Sequence, residues 1–169
     1  SDVCSSDLNY TTVALSRYVT AVASGKKYNY QLMDRIVDAS GKTVKKYKAD
    51  YEDISDTLTD SQWDALHSGM RQVVSTMDRF QGFDIPVAGK TGTAQQTGHA
   101  NHGLFIGYAP YDDPEITIAV RIANGYSSHN AATAARNVIS YYYKETSMKD
   151  IKEMKAAGVN GNTRNSVAD

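Results

Sequence analysis

Apolar residues recur at three- and four-residue steps in three stretches of the chain, and this period predicts three amphipathic helices. The first covers residues 10–24 and ends at Gly25, and the last covers residues 130–144. The second begins after Thr59, whose hydroxyl can cap the helix while Gln62 completes a capping box. Its apolar stripe, typical of a core-facing helix, consists of Trp63, Leu66, Met70, Val73 and Met77.

Strand-like runs separate these helices. Residues 31–39 and 42–49 flank a Ser40-Gly41 turn and predict a hairpin, whose second strand is too basic to be buried on both faces. Residues 87–95, 103–109 and 115–123 form three further runs. Parallel pairing needs a crossover of about a dozen residues or more, so these short connections favour an antiparallel meander. The predicted fold class is α+β, with an antiparallel sheet flanked by helices.

Composition narrows the classes of function. A chain of 169 residues fits one domain, and its net charge of −1 gives no basic surface for a nucleic acid partner. No apolar run approaches the roughly 20 residues that span a bilayer, so membrane attachment would require sequence that precedes this chain. The single cysteine, Cys4, excludes an internal disulfide.

The two ends of the chain differ in character from its middle. Residues 1–8, SDVCSSDL, have no hydrophobic period and resemble the translation of a sequencing adapter joined to a gene fragment. We therefore expect the natural sequence to begin near Asn9, with residues 9–148 belonging to one domain. Residues 149–169 are polar and are expected to form a flexible tail.

The run VAGKTGTAQQTG, residues 87–98, contains the candidate chemistry. Gly-Lys-Thr also occurs in phosphate-binding P-loops, but a P-loop would need glycine where Asp84 stands. A P-loop must also lead directly into a helix, whereas a strand follows here. Both the spacing and the context therefore exclude the P-loop.

A Lys-Thr-Gly sequence on a strand beside a cleft suits acyl transfer to a serine. Lys90 provides a positive charge that can lower the pKa of a neighbouring hydroxyl or hold a carboxylate. Gly92 allows a substrate backbone to pair closely with the strand edge. Thr91 and Thr93 offer hydroxyls to a carboxylate, and the backbone N–H of Thr93 can point at an oxyanion.

The motifs GKTGTAQ, HGLFIGYAP and EITIAVRIANG, followed by the helix AATAARNVISYYY, resemble the C-terminal part of a penicillin-binding protein transpeptidase domain. The resemblance covers residues 9–145 and is closest to the class B, monofunctional enzymes. It implies the β-lactamase/transpeptidase fold, with Lys90, Thr91 and Gly92 as the third catalytic motif. Thr93 would then contribute to the oxyanion hole and, with Thr91, bind the substrate carboxylate.

The resemblance also implies a reaction and its partners. In D,D-transpeptidation a serine attacks the D-Ala-D-Ala end of a peptidoglycan stem peptide, and the acyl group passes to an amine on a neighbouring strand. β-Lactam antibiotics mimic the first step. The parent protein is expected at the extracytoplasmic face of the bacterial membrane, anchored by an N-terminal helix outside this sequence. No cofactor is implied.

The nucleophile that such a domain needs does not stand out in this sequence. Family members carry Ser-x-x-Lys and Ser-x-Asn before Lys-Thr-Gly. Formal matches occur at Ser24 and Ser128, but Ser24 ends a helix and Ser128 follows the motif. We therefore expect the nucleophile to lie upstream and this chain alone to be inactive. The absent half would leave an apolar face of the sheet exposed.

Other readings remain open. The chain could be a nucleophile-free binding module for cell-wall peptides or a cell-wall partner, or part of a D,D-carboxypeptidase or a β-lactamase. His99, His102 and His129 are interpreted as loop histidines rather than metal ligands, because their spacing has no helical register and no cysteine supports it. Asp112 and Asp113 belong to a proline-flanked turn.

Overall fold

The computed structural model describes residues 10–95 and 99–153. It confirms an α+β fold. Its longer elements, in chain order, are α1 (Thr12–Ser24), β1 (Lys26–Asn29), β2 (Arg35–Val37), β3 (Thr43–Lys46), β4 (Asp50–Asp53), α2 (Asp60–Ser75), β5 (Ala88–Ala94), β6 (His102–Ala109), β7 (Ile116–Ile122), α3 (Ser128–Tyr142) and α4 (Met148–Glu153). None of the helices among these residues is long and apolar enough to cross a membrane.

The helices begin and end where local chemistry requires it. The Thr11 hydroxyl accepts from the Ala14 N–H at the start of α1, and Gly25 ends the helix with φ +65°. Thr59 and Gln62 form the predicted capping box of α2, in which the Thr59 N–H donates to Gln62 Oε1 at 2.9 Å. Met77, the last residue of the predicted stripe, lies just beyond α2 but is buried in the core.

The predicted hairpin is present but shorter than its sequence pattern. β2 and β3 pair antiparallel around a turn in which the Gly41 N–H donates to the Asp38 carbonyl. Every residue of both strands is exposed, in agreement with the basic character of the second.

A second two-stranded ribbon, β1 with β4, was missed by the sequence patterns. Polar and charged contacts between its strands explain the omission, because they give no apolar alternation. Lys27 Nζ lies 2.8 Å from Glu52 Oε2, and Asn29 Nδ2 donates to Asp50 Oδ2 at 2.8 Å. The rings of Tyr28 and Tyr51 contact each other across the pair, with centroids 5.2 Å apart and planes inclined at 49°.

The central sheet has the strand order β5-β6-β7 with antiparallel pairing throughout, which confirms the meander. Helices cover both of its faces. On one face Ile106 and Tyr108 pack with Val19 and Val22 of α1 and with Met70 of α2. On the other, Phe105 and Ala109 pack against α3 through Ala131, Ala132, Ala135 and Ile139. The expectation of an exposed apolar sheet face is therefore wrong.

The predicted ends of the domain are only partly visible. Residues 149–153, assigned to a flexible tail, continue helix α4. The predicted adapter segment and the rest of the tail lie outside the described residues, as do residues 96–98.

Candidate active site

The Lys-Thr-Gly motif lies in β5, at the edge of the central sheet. β5 pairs with β6 on one side, and no strand among the described residues pairs with its other side. An unpaired strand edge presents a row of backbone N–H and C=O groups to which an extended peptide can add. The motif thus stands on a backbone that is available for pairing with a substrate.

Register places the motif side chains on opposite faces of the sheet. Lys90 pairs with Ile106 and therefore shares the face covered by α1, as does Gly92. Thr91 pairs with Phe105, so the two threonines share the face covered by α3. A ligand lying along the edge of β5 can reach side chains from both faces.

Lys90 is exposed, and its ammonium group is held close to the strand. Nζ donates to the carbonyl oxygen of the next residue, Thr91, at 2.9 Å. No carboxylate in residues 10–95 or 99–153 lies within ion-pair distance of this group. The charge of Lys90 is therefore available to an anionic or polarised group outside the described chain.

The surroundings of the two glycines of β5, Gly89 and Gly92, differ in whether they leave room for a side chain. A Cβ atom on Gly89 would lie 2.5 Å from Phe105 Cζ and 2.7 Å from the Ile106 carbonyl, so packing requires glycine there. A Cβ atom on Gly92 would meet Leu104 Cβ at 3.6 Å, an ordinary contact. The fold therefore does not require glycine at position 92.

Thr93 lies near the beginning of α3. Thr93 pairs with Gly103 of β6. A Cβ atom added to Gly103 would clash with the Ser127 carbonyl and lie 3.5 Å from Ser128 Cα. This close approach brings the loop of residues 123–127 beside the end of β5. Sequence assigns this region the cap of α3, through Ser127 or Ser128, and its Asn124-Gly125 pair is typical of a left-handed turn.

Neither formal serine match has the geometry of a nucleophile. Ser24 Oγ donates to the Thr20 carbonyl at 2.7 Å and accepts from the Lys26 N–H at 3.2 Å, as expected at a helix end. Lys27, the lysine of that match, pairs instead with Glu52. Ser128 is 1% exposed in the first turn of α3, beyond the reach of a substrate. Ser127 is the residue that caps this helix, by accepting from the His129 N–H.

The histidines have structural roles. His102 is buried, and its Nδ1 accepts from the Asn124 N–H at 3.0 Å, which fixes the loop after β7. His129 Nδ1 lies 3.0 Å from Ser127 Oγ. Within the described part of the chain, no three His, Cys, Asp or Glu side chains are grouped in a way that could hold a metal ion.

A groove of about 800 Å³ lies elsewhere, between α1, the β1–β4 ribbon and the first turns of α2. Its lining includes Val13, Tyr18, Val22, Leu58 and Leu66, and no residue of β5. The groove is mostly apolar, although Arg17, Lys27 and Asn29 also line it, and it is separate from the motif.

Known proteins are similar to this chain in sequence and in fold. The family model for the penicillin binding protein transpeptidase domain matches residues 2–140. Peptidoglycan D,D-transpeptidase MrdA of Haemophilus influenzae is 28% identical over 158 residues, which are 80% of this chain and 24% of that protein. MrdA of Acinetobacter baumannii is 36% identical over 102 residues, which are 50% of this chain and 15% of that protein.

Solved structures agree with the fold. The imipenem acyl-enzyme of penicillin-binding protein A from M. tuberculosis superposes with a TM-score of 0.71 at 21% identity, covering 81% of this chain and 32% of that one. PBP2 of Pseudomonas aeruginosa in complex with WCK 5153 gives 0.63 at 30% identity, covering 79% and 30%. The chain spans a quarter or less of the length of the two MrdA proteins. It belongs to the penicillin-binding protein transpeptidase domain family, and its relatives place it with the class B enzymes.

Proposed function

We propose that this chain is the C-terminal part of a peptidoglycan D,D-transpeptidase and supplies one side of its active site. The observation that supports this most directly is the edge of β5, which pairs with no further strand among the described residues and where no described carboxylate lies within ion-pair distance of Lys90. The relatives named D,D-transpeptidase MrdA support the reaction class. The acyl-enzyme complex formed by penicillin-binding protein A supports β-lactam reactivity.

The acyl donor is a stem peptide ending in D-Ala-D-Ala. Its backbone would pair with the free edge of β5, because Gly92 presents no side chain to separate the two strands. The hydroxyls of Thr91 and Thr93 bind the terminal carboxylate. The ammonium group of Lys90 stabilises the deprotonated form of a nearby serine hydroxyl.

The reaction has two steps. The serine Oγ attacks the carbonyl carbon of the penultimate D-alanine, and the Thr93 N–H donates to the oxyanion that forms. Collapse of this intermediate breaks the peptide bond, and the terminal D-alanine leaves as the free amine, its nitrogen taking the proton that the serine hydroxyl gave up. An amine of a second stem peptide then attacks the ester carbonyl, which forms the amide cross-link, breaks the bond from the carbonyl carbon to serine Oγ and transfers a proton from the amine to Oγ.

The nucleophilic serine and its lysine belong, in this proposal, to sequence upstream of residue 10. Ser24 is engaged in ending α1 and Ser128 is buried, so neither supplies the missing group. An N-terminal membrane helix in the same upstream sequence would hold the enzyme at the extracytoplasmic face of the membrane.

A labelling experiment on the complete enzyme tests the proposal. We expect a fluorescent penicillin to acylate the wild type, and Lys90→Ala to lower the acylation rate constant by about 100-fold or more, the loss typical of removing one stabilising group from such a site. Lys46→Ala, an exposed lysine of β3, is the matched control and should react at the wild-type rate. Equal labelling of Lys90→Ala and wild type would refute the role of the motif. A gene product with no upstream serine and no labelling would favour the binding module.

A further inference from the structure

Arg71, in the C-terminal half of α2, holds the backbone that leads into the motif. Its Nη1 donates to the Val87 carbonyl at 3.0 Å, in a partly buried position. Val87 is 1% exposed and directly precedes β5. No carboxylate among residues 10–95 and 99–153 lies within ion-pair distance of Arg71. An ion pair within the described chain therefore does not account for this arginine, whereas its hydrogen bond to the backbone does.

The Val87 carbonyl points to the side of the strand that faces away from β6. Successive residues of a strand direct their backbone groups alternately to its two sides. The Pro86 carbonyl accepts from the N–H of Tyr111, just beyond β6, at 2.7 Å. A Cβ atom on Gly107 of β6 would lie 2.7 Å from the Ala88 carbonyl, so this carbonyl faces β6 as well. The carbonyls of Pro86 and Val87 are thus held from opposite sides just before the motif.

This anchor lies on the side of β5 that needs one. No strand among the described residues pairs with that side, so β6 alone supports the strand through the motif. Packing by α2 helps at the start of β5, because Val74 shares a buried cluster with Val87, and Met70 shares one with Ala88. Apolar contacts have no preferred direction, whereas the hydrogen bond from Arg71 fixes where the Val87 carbonyl points. Arg71 therefore adds orientation to a packed contact.

We propose that Arg71 is a positioning residue, which fixes the start of β5 and thereby the place of the Lys90 ammonium group relative to the nucleophile. The inference rests on the proposed function, in which Lys90 stabilises the deprotonated serine. Val87 and Lys90 are three residues apart, about 10 Å along a strand, so Arg71 acts through the backbone. Without the hydrogen bond, the start of β5 could shift on its unpaired side and take Lys90 with it.

Acylation kinetics on the complete enzyme test this role, because they separate binding from chemistry. The rate at increasing concentrations of a labelled penicillin gives the dissociation constant of the non-covalent complex and the first-order rate constant of acylation. A displacement of about 1 Å costs on the order of 100-fold in rate. We expect Arg71→Met to lower the acylation rate constant about 10-fold or more, and to change the dissociation constant less than about 3-fold. Arg71→Lys keeps a charged donor and should recover most of the lost rate.

Thr59→Ala is the matched control, because it weakens the same helix at its opposite end. It should lower the Tm and leave both constants unchanged in the folded enzyme, as Arg71→Met would if the arginine only stabilised the fold.

Three results would overturn the inference: acylation by folded Arg71→Met within about 2-fold of wild type, a loss confined to the dissociation constant, or no recovery with lysine. In each case a loss of acylation in Lys90→Ala would leave the proposed function intact. Absence of acylation in the wild type would instead overturn the proposed function, and this inference with it.

Discussion

Alanine at Gly89 and at Gly92 should have opposite consequences, although both glycines lie in β5 and both changes add one methyl group. At position 89 the methyl carbon would lie 2.5 Å from Phe105 Cζ, inside the core between the sheet and α3. At position 92 it would lie 3.6 Å from Leu104 Cβ, on the same face as Lys90 and beside the free edge of the strand. The first change damages the fold, and the second blocks the site.

The magnitudes follow from these contacts. Forcing a methyl group into a packed core costs about 1–3 kcal/mol, and at roughly 2–4 °C per kcal/mol for a domain of this size Gly89→Ala should lower the Tm by roughly 2–12 °C. Gly92→Ala creates no overlap, and the lower entropy of the unfolded chain should stabilise the fold by up to about 1 kcal/mol. The new methyl would displace a paired substrate backbone, and a displacement of about 1 Å costs on the order of 100-fold in rate.

The assay combines thermal unfolding of each variant with its rate of acylation by a labelled penicillin, measured where each variant is folded. Gly89→Ala should show a lowered Tm, with acylation near wild type in the molecules that remain folded. Gly92→Ala should show a Tm at or above wild type with acylation reduced about 100-fold. A Gly92→Ala enzyme that reacts at the wild-type rate would refute the pairing of substrate with β5.

Three further predictions concern stability. Thr59→Ala removes the capping box of α2 and should cost about 1 kcal/mol in the free energy of unfolding, measured by urea titration, whereas Thr59→Ser should cost much less. Burial raises the pKa of Tyr108 to about 12, so the folded state holds this proton more tightly than the unfolded state. The corresponding stability, on the order of 2 kcal/mol, is present below pH 10 and is lost between about pH 10 and 12. Because its hydroxyl has no hydrogen-bond partner among the described residues, Tyr108→Phe should leave stability at pH 7 unchanged or higher and move alkaline unfolding to higher pH. Tyr126→Gly should exceed Tyr126→Ala in stability by about 1 kcal/mol, because only alanine keeps a Cβ atom at positive φ; equal stabilities would contradict this.

Sequence patterns predicted the elements whose signals are local. The Thr59 capping box, the Gly25 helix end and the apolar strands of the meander each depend on a few neighbouring residues, and all three are confirmed. The β1–β4 ribbon was missed because its strands are 21 or more residues apart in sequence at each cross-strand pair and are joined by charged side chains. No periodicity within either strand reports such a long-range pairing.

The residues of the motif could be predicted from the sequence, but the three-dimensional surroundings of those residues could not. Spacing and context excluded a P-loop and singled out Lys90, Thr91 and Gly92. The sequence could not show that the two glycines differ. At position 89 the ring of Phe105 leaves no room for a side chain, whereas at position 92 nothing in the described fold requires glycine. It also gave no sign of the left-handed backbone of Tyr126, whose N–H donates to the Asn101 carbonyl. Both depend on tertiary contacts.

The most direct test of the account is the intact mass of two proteins after reaction with penicillin: the complete transpeptidase and this 169-residue chain alone. The account predicts one adduct on the complete enzyme, located by peptide mapping to a serine upstream of residue 10. It predicts no adduct on the chain alone, because Ser24 ends a helix and Ser128 is buried. An adduct on either of these serines, in either protein, would contradict the claim that the chain supplies only the Lys-Thr-Gly side of the active site.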